Sequence, residues 1–172
     1  MWQQADKGLR NCEAAPAFYD GYLYYPGFDY IVVVDPSNGN IVHSSTVQGV
    51  LGSSSVPYVT EDYVVTGSSD RGIIAFSRNN LKQLWTFRTR PALTHTVAYA
   101  NNGQQSVEAS PLVLNNVVYC GANDGFFYAL DATTGTFLWS YRAGAPILSQ
   151  AIPYRDCLLF VDMGGNLYKV FM

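Results

Sequence analysis

The stretch 108–144 alternates short apolar runs with polar turn residues, and the spacing of the two predicts four β-strands. Residues 111–114 form one run, closed by Asn115-Asn116. Residues 117–120 form the next, followed by Asn123-Asp124-Gly125, which supplies residues tolerant of positive φ and therefore a hairpin turn. Residues 126–130 are the third run; Thr133-Thr134-Gly135 turns the chain, and residues 137–141 are the fourth. Four short antiparallel strands in succession make one blade of a β-propeller. The frame repeats. Taking the copies as 13–49, 54–90, 107–144 and 147–172, the pattern predicts an all-β propeller of about four blades, built as one domain or part of one. The last copy supplies three strands only.

Composition agrees with short pleated strands: 13 Tyr, 9 Phe and 15 Gly favour β-structure joined by tight turns. Only 13% of residues are charged, so Ser, Thr, Asn, Gln and Tyr must cover much of the surface. The formal net charge of −3, without any cluster of Lys and Arg, argues against nucleic-acid binding, which needs a basic face to displace counterions. No run is long and apolar enough to span a bilayer as a helix, and the first residues show no charged-then-apolar leader pattern. Cys12, Cys120 and Cys157 lie far apart without CxxC spacing and read as small buried apolar residues, with a disulfide or a reactive thiol as the alternative.

Within the third copy, Ala129, Asp131, Thr134, Gly135 and Trp139 fall in the order A-x-D-x-x-T-G-x-x-x-W. This resembles the repeat of the quinoprotein (PQQ-like) β-propeller family. In that family the Trp packs between adjacent blades, a role suited to a large flat side chain with few rotors. The other copies are degraded. The first reads Val33-Val34-Asp35-Pro36-Ser37-Asn38-Gly39 and has His43 at the Trp position, which predicts a packed blade residue there. The second has Leu81 in place of the Gly but keeps Trp85. WD40 and kelch repeats fit less well, since there is no Trp-Asp dipeptide and one glycine doublet, Gly164-Gly165.

The segment from Trp2 to Gly8 resembles the outer strands that begin at Trp85 and Trp139. The chain therefore opens on a fourth strand and stops after a third. Three architectures follow: a fragment of a longer propeller, a self-closed four-bladed ring, or two chains pairing head to tail as an eight-bladed ring. Fragment or half-ring is preferred, because blades shaped for eightfold packing would be strained at fourfold.

Function on a propeller is expected on the loops that join each outer strand to the next inner strand. One of them is long. Asp35 to its equivalent Ser77 spans 42 residues and Asp131 to Phe171 spans 40, whereas Ser77 to Asp131 spans 54. The surplus, residues 91–105, carries His95 and Tyr99 and is expected over the channel mouth or the adjacent blade. Glu13 and Glu108 share a repeat position close to the axis and are candidates for holding a cation or basic ligand; the plainer reading bonds them to backbone N–H groups or to Arg10 and Arg90. Asp29, Asp70 and Asp124 fall in the turns between second and third strands, where ordinary turn chemistry accounts for them without a metal.

The resemblance implies two classes of function. One is a non-catalytic binding or scaffolding propeller for a protein or small ligand. The other is a piece of a quinone-cofactor dehydrogenase, whose family members clamp the quinone with adjacent cysteines and hold calcium with acidic and amide side chains. No Cys-Cys pair, phosphate loop or metal-spaced His/Cys set occurs here, so no catalytic residue, metal or cofactor is assigned. A sensor domain of a larger chain is a further alternative. The expected partners are a protein or small ligand, and a second copy or another chain that completes the ring. The resemblance also suggests an extracytoplasmic location.

Overall fold

The structure, a computed structural model, describes residues 1–3, 5, 13–49, 51, 54–96 and 104–172, and these form β-strands and loops without helices. The first sheet runs β1 (Ala17–Tyr19), β2 (Tyr22–Pro26), β3 (Tyr30–Val34), β4 (Ile41–Thr46). The second is β5 (Tyr58–Val59), β6 (Tyr63–Ser68), β7 (Gly72–Ser77), β8 (Gln83–Phe87), and the third β9 (Leu112–Leu114), β10 (Val117–Gly121), β11 (Phe126–Asp131), β12 (Phe137–Arg142). The last has three strands: β13 (Ile152–Tyr154), β14 (Cys157–Val161) and β15 (Leu167–Phe171). In each sheet the spatial order follows the chain order, and every pairing is antiparallel. These are propeller blades, and in the third the strand limits lie within one residue of those the hydrophobic pattern predicts. The predicted Asn115-Asn116 turn has both residues at positive φ, 50° and 61°, as a tight hairpin matched to the right-handed strand twist requires.

The core lies between sheets, not within one. Successive side chains on a strand point to opposite faces, so the middle strands serve two interfaces at once. Ile74 and Phe76 of β7 pack with Ile31 and Val33 of the first blade. Their neighbours Ile73 and Ala75 pack with Val118, Tyr128 and Leu130 of the third. On the far side of the third blade, Tyr119, Phe127 and Ala129 meet Leu158 and Phe160 of the fourth, with the Phe127 and Phe160 rings stacked at 4.2 Å. This two-sided burial explains why the middle strands are nearly unbroken apolar runs.

The turn between third and fourth strands carries the repeat motif. Asp131 Oδ1 accepts hydrogen bonds from the Thr134 backbone N–H and hydroxyl at 2.8 and 2.9 Å, and Gly135 N–H donates to Asp131 O at 2.8 Å. Asp35 holds Ser37 and Asn38 similarly. Gly39, Leu81 and Gly135 occupy one repeat position, all with positive φ (79°, 52° and 71°). Trp85 reaches across from the second blade: its Nε1–H donates to Ala132 O at 2.9 Å and its ring covers Gly135. Trp2 does the same to the first blade, donating to Pro36 O at 2.8 Å and covering Gly39. Trp2 thus stands toward the first blade as Trp85 stands toward the third. Gln4 and residues 6–8 of the proposed closing strand lie outside the described residues.

His43 departs from expectation. It sits opposite Val33 in the register where Trp85 and Trp139 sit opposite Ala75 and Ala129, yet it is exposed, not packed. The reason is the receiving position in the next blade. Where the tryptophans cover a glycine, the second blade has Leu81, fully buried among Ile31, Val33, Val64 and Phe76. Leu81 takes up the space an indole would fill, so the outer strand needs no large residue.

Candidate functional site

One end of the blades gathers the outer-to-inner connections and the hairpins between second and third strands. The connection leaving β8 is the long one. Its described stem, 91–96 and 104–105, is stitched to two blades: Leu93 N–H donates to Asn123 O at 2.9 Å, Asn123 Nδ2 donates to Thr94 O at 3.1 Å, and Gly72 N–H donates to Gln105 O at 2.7 Å. The stem therefore crosses the junction of the second and third blades. Tyr99 and the tip of the insertion, like Arg10 and Cys12, lie outside the described residues.

The anchor of that stem is Glu108, whose residue exposure is 3%. Its carboxylate accepts from Thr96 N–H at 3.1 Å, from the Thr96 hydroxyl, and from Asn123 Nδ2 at 2.7 Å, while its own N–H donates to Asn123 Oδ1. A buried carboxylate needs such donors to offset its lost hydration. Glu13, at the matching repeat position, is exposed. The two acids thus have different environments. Nor does Arg90 pair with Glu108: its guanidinium lies over the Phe126 ring, 4.2 Å from the centroid, and its backbone N–H donates to Asp124 Oδ2 at 2.9 Å. His95 Nδ1, Thr89 Oγ1 and Ser106 Oγ in the same region are buried with no partner among the described residues.

Asp124 is a turn residue with added duties. It accepts from Phe126 N–H at 2.9 Å, closing the hairpin, and from the Tyr128 hydroxyl at 2.6 Å. Burial raises its pKa above the ordinary carboxylate value, against the opposing pull of these hydrogen bonds. The Tyr128 hydroxyl is pushed up by burial and by Asp124. The fourth blade repeats the pair, Tyr168 donating to Asp162 Oδ2 at 2.8 Å. Asp162 is a further member of the turn series that sequence reasoning passed over, although its repeat position made it findable.

Two hollows stand out. The first, of about 250 Å³, is lined by Arg90, Pro91, Leu93, Asp124, Phe126, Arg142 and Gly144 on the loop face. Arg142 is the last residue of β12, three positions after Trp139 as Arg88 is after Trp85, and that spacing is the sequence signal for it. The second, of about 480 Å³, lies between β12 and β15, against Trp139, Tyr141, Val170, Phe171 and Met172. Among the described residues no three of His, Cys, Asp and Glu converge as metal ligands. A quinone held with calcium needs several converging oxygen donors. Of the two candidate acids, Glu108 is engaged by Thr96 and Asn123, and Glu13 is exposed. Cys120 and Cys157 are buried free thiols, and burial raises the pKa of Cys120 far above that of an ordinary thiol.

These features define an all-β propeller of four-stranded antiparallel blades with a loop face reinforced by one insertion. Two family models match, one described as the outer membrane protein assembly factor BamB over residues 1–105, the other as the β-propeller domain of glucose, ethanol and alcohol dehydrogenases over residues 72–155. The chain belongs to the PQQ-like β-propeller repeat family. It is similar to the outer membrane protein assembly factor BamB of Legionella pneumophila, with 25% identity across 70% of this chain and 30% of that protein. The crystal structure of BamB from Moraxella catarrhalis matches with a TM-score of 0.67 at 19% identity, over 88% of this chain and 42% of that one. The chain thus spans less than half the length of these relatives. The computationally designed Ika4 protein matches with a TM-score of 0.69 at 16% identity, over 99% of both chains.

Proposed function

We propose that this chain is a non-catalytic binding propeller that presents its loop face and central channel to a protein partner, in an extracytoplasmic assembly role like the one named for the BamB relatives. The observation that carries this reading is the described stem of the 91–105 insertion, fixed to the third blade through buried Glu108 and Asn123 and to the second through the Gly72 N–H bond to Gln105. A polar connection held that firmly is a preformed platform, and a preformed platform lowers the ordering cost of binding. Glu108 serves this platform as a structural carboxylate. The outer edge of β15 is read as the seat of a blade's fourth strand, because among the described residues no strand pairs with that edge, and Leu167 and Phe171 along it are exposed.

A photo-cross-linking residue at exposed Leu93 tests the reading in cells of the source organism. Discrete protein adducts from position 93, absent when the cross-linker replaces Arg155 at the other end of the blades, support it. Stoichiometric uptake of the quinone with calcium, seen as a shift in cofactor absorbance together with dye-linked alcohol oxidation, would overturn it. The solution mass of the 172-residue chain tests whether a second copy fills the β15 edge; a monomer at all concentrations excludes that occupant.

A further inference from the structure

We propose that Arg90 and Arg142 form a carboxylate-binding site on the loop face, which takes an acidic side chain of a partner polypeptide while an apolar neighbour of that side chain rests on Leu93 and Phe126. The proposal rests on the loop-face reading above and adds the chemistry of what binds there.

Both arginines are organised around one ring. Arg142 is the cross-strand partner of Phe126 in the β11–β12 register, and Arg90 lies over the same ring from the other blade. Both arginines line one hollow beside Phe126, and the backbone bond from Arg90 to Asp124 fixes where the first of them starts. Among the described residues neither arginine makes a salt bridge, although the Arg90 charge favours the ionised form of Asp124 beside it; the one ion pair joins Arg78 and Asp20 at 3.2 Å, at the opposite end of the blades. Asp124 also lines the hollow, but it is 6% exposed and its oxygens are engaged by Arg90 N–H, Phe126 N–H and the Tyr128 hydroxyl. What faces solvent is therefore net positive, in a chain whose formal charge is −3.

Size and lining narrow the class. Pockets for drug-sized ligands begin at roughly 300 Å³, so a hollow of about 250 Å³ suits one side chain better than a cofactor. Guanidinium forks match carboxylate geometry and bind it in preference to a spherical anion. Leu93 is 62% exposed at the rim beside Pro91, and this apolar lip gives a polypeptide a second contact that a free dicarboxylate would leave unused.

The test is an NMR titration that follows the Nε–H signals of Arg90 and Arg142 and the amide of Phe126. The probes are acetyl-Leu-Glu-Leu-amide, its neutral twin acetyl-Leu-Gln-Leu-amide, and glutarate. The acidic peptide is expected to shift all three signals saturably, more weakly as salt rises. Arg90→Gln and Arg142→Gln are each expected to weaken it by roughly fivefold, the upper range for an exposed ion pair. Arg142→Lys should lose less than Arg142→Gln, and Arg155→Gln should lose nothing. The proposal is overturned if the neutral twin shifts the signals equally, if glutarate binds as tightly as the peptide, if the acidic peptide shifts nothing, or if both glutamine variants bind as the parent does. Cross-linking from Leu93 can persist through any of these failures, so the site and the loop-face reading are tested separately.

Discussion

Replacing Gly135 by Ala should cost stability through Trp85, and removing Trp85 should relieve most of that cost. A Cβ built on Gly135 would lie 2.6 Å from Trp85 Cδ2 and 2.8 Å from Cε3 and Cγ, in the path of a rigid indole pinned by its bond to Ala132 O. Overpacking of this kind costs about 1–3 kcal/mol, and the positive φ of 71° adds about 1 kcal/mol for any residue with a Cβ. Gly135→Ala is therefore expected to lose about 3 kcal/mol. Trp85→Ala, which empties an 8%-exposed site and breaks the indole hydrogen bond, should lose about 4 kcal/mol. In the double variant the clash is gone and the backbone cost remains, so the combined loss should fall short of additivity by about 2 kcal/mol. Urea unfolding monitored by far-UV circular dichroism measures all three variants. Additivity within about 0.5 kcal/mol would refute the stacking of Trp85 on Gly135 as the link between the second and third blades.

The first and second blades predict the complementary result: Leu81→Gly should lose about 3 kcal/mol by opening a cavity at a fully buried site, despite its favourable φ, and adding His43→Trp should recover part of the loss in the same assay. Glu108→Ala should strand the Asn123 amide and Thr96 N–H, costing about 1–3 kcal/mol and speeding proteolysis within 91–105 relative to the blades, as read by mass spectrometry of the first cleavage products. Carboxyl NMR should place the Asp124 midpoint above the ordinary Asp value and those of Asp35 and Asp131 below it. The signs then oppose. The raised Asp124 contributes stability below its unfolded pKa that is lost as pH rises through its folded one, whereas the lowered pair contributes stability above pH 3.8 that is lost as pH falls through their folded values. Midpoints in the reverse order would show that burial does not dominate at Asp124.

How much was legible beforehand follows from the range of each interaction. Strands and hairpins depend on neighbours a few residues apart, so alternation, Asn115-Asn116 and Asp131 to Trp139 were sufficient to define the blade and its repeat. The length of the 91–105 insertion was equally visible, because it breaks a period. What the period cannot carry is the partner of a residue in the next blade. His43 was expected to be packed because its own repeat position says so; Leu81, 38 positions on, determines otherwise by filling the space first. Glu13 and Glu108 are indistinguishable in the repeat, yet one faces solvent and the other is buried beneath Thr96, because only one blade junction carries the insertion stem. In sequence Arg90 is a residue of the connection after β8 and Arg142 the last residue of β12, with nothing to join them. Their sharing of one hollow beside Phe126 arises where two blades pack, and side-chain burial between sheets is a long-range property that local pattern does not encode.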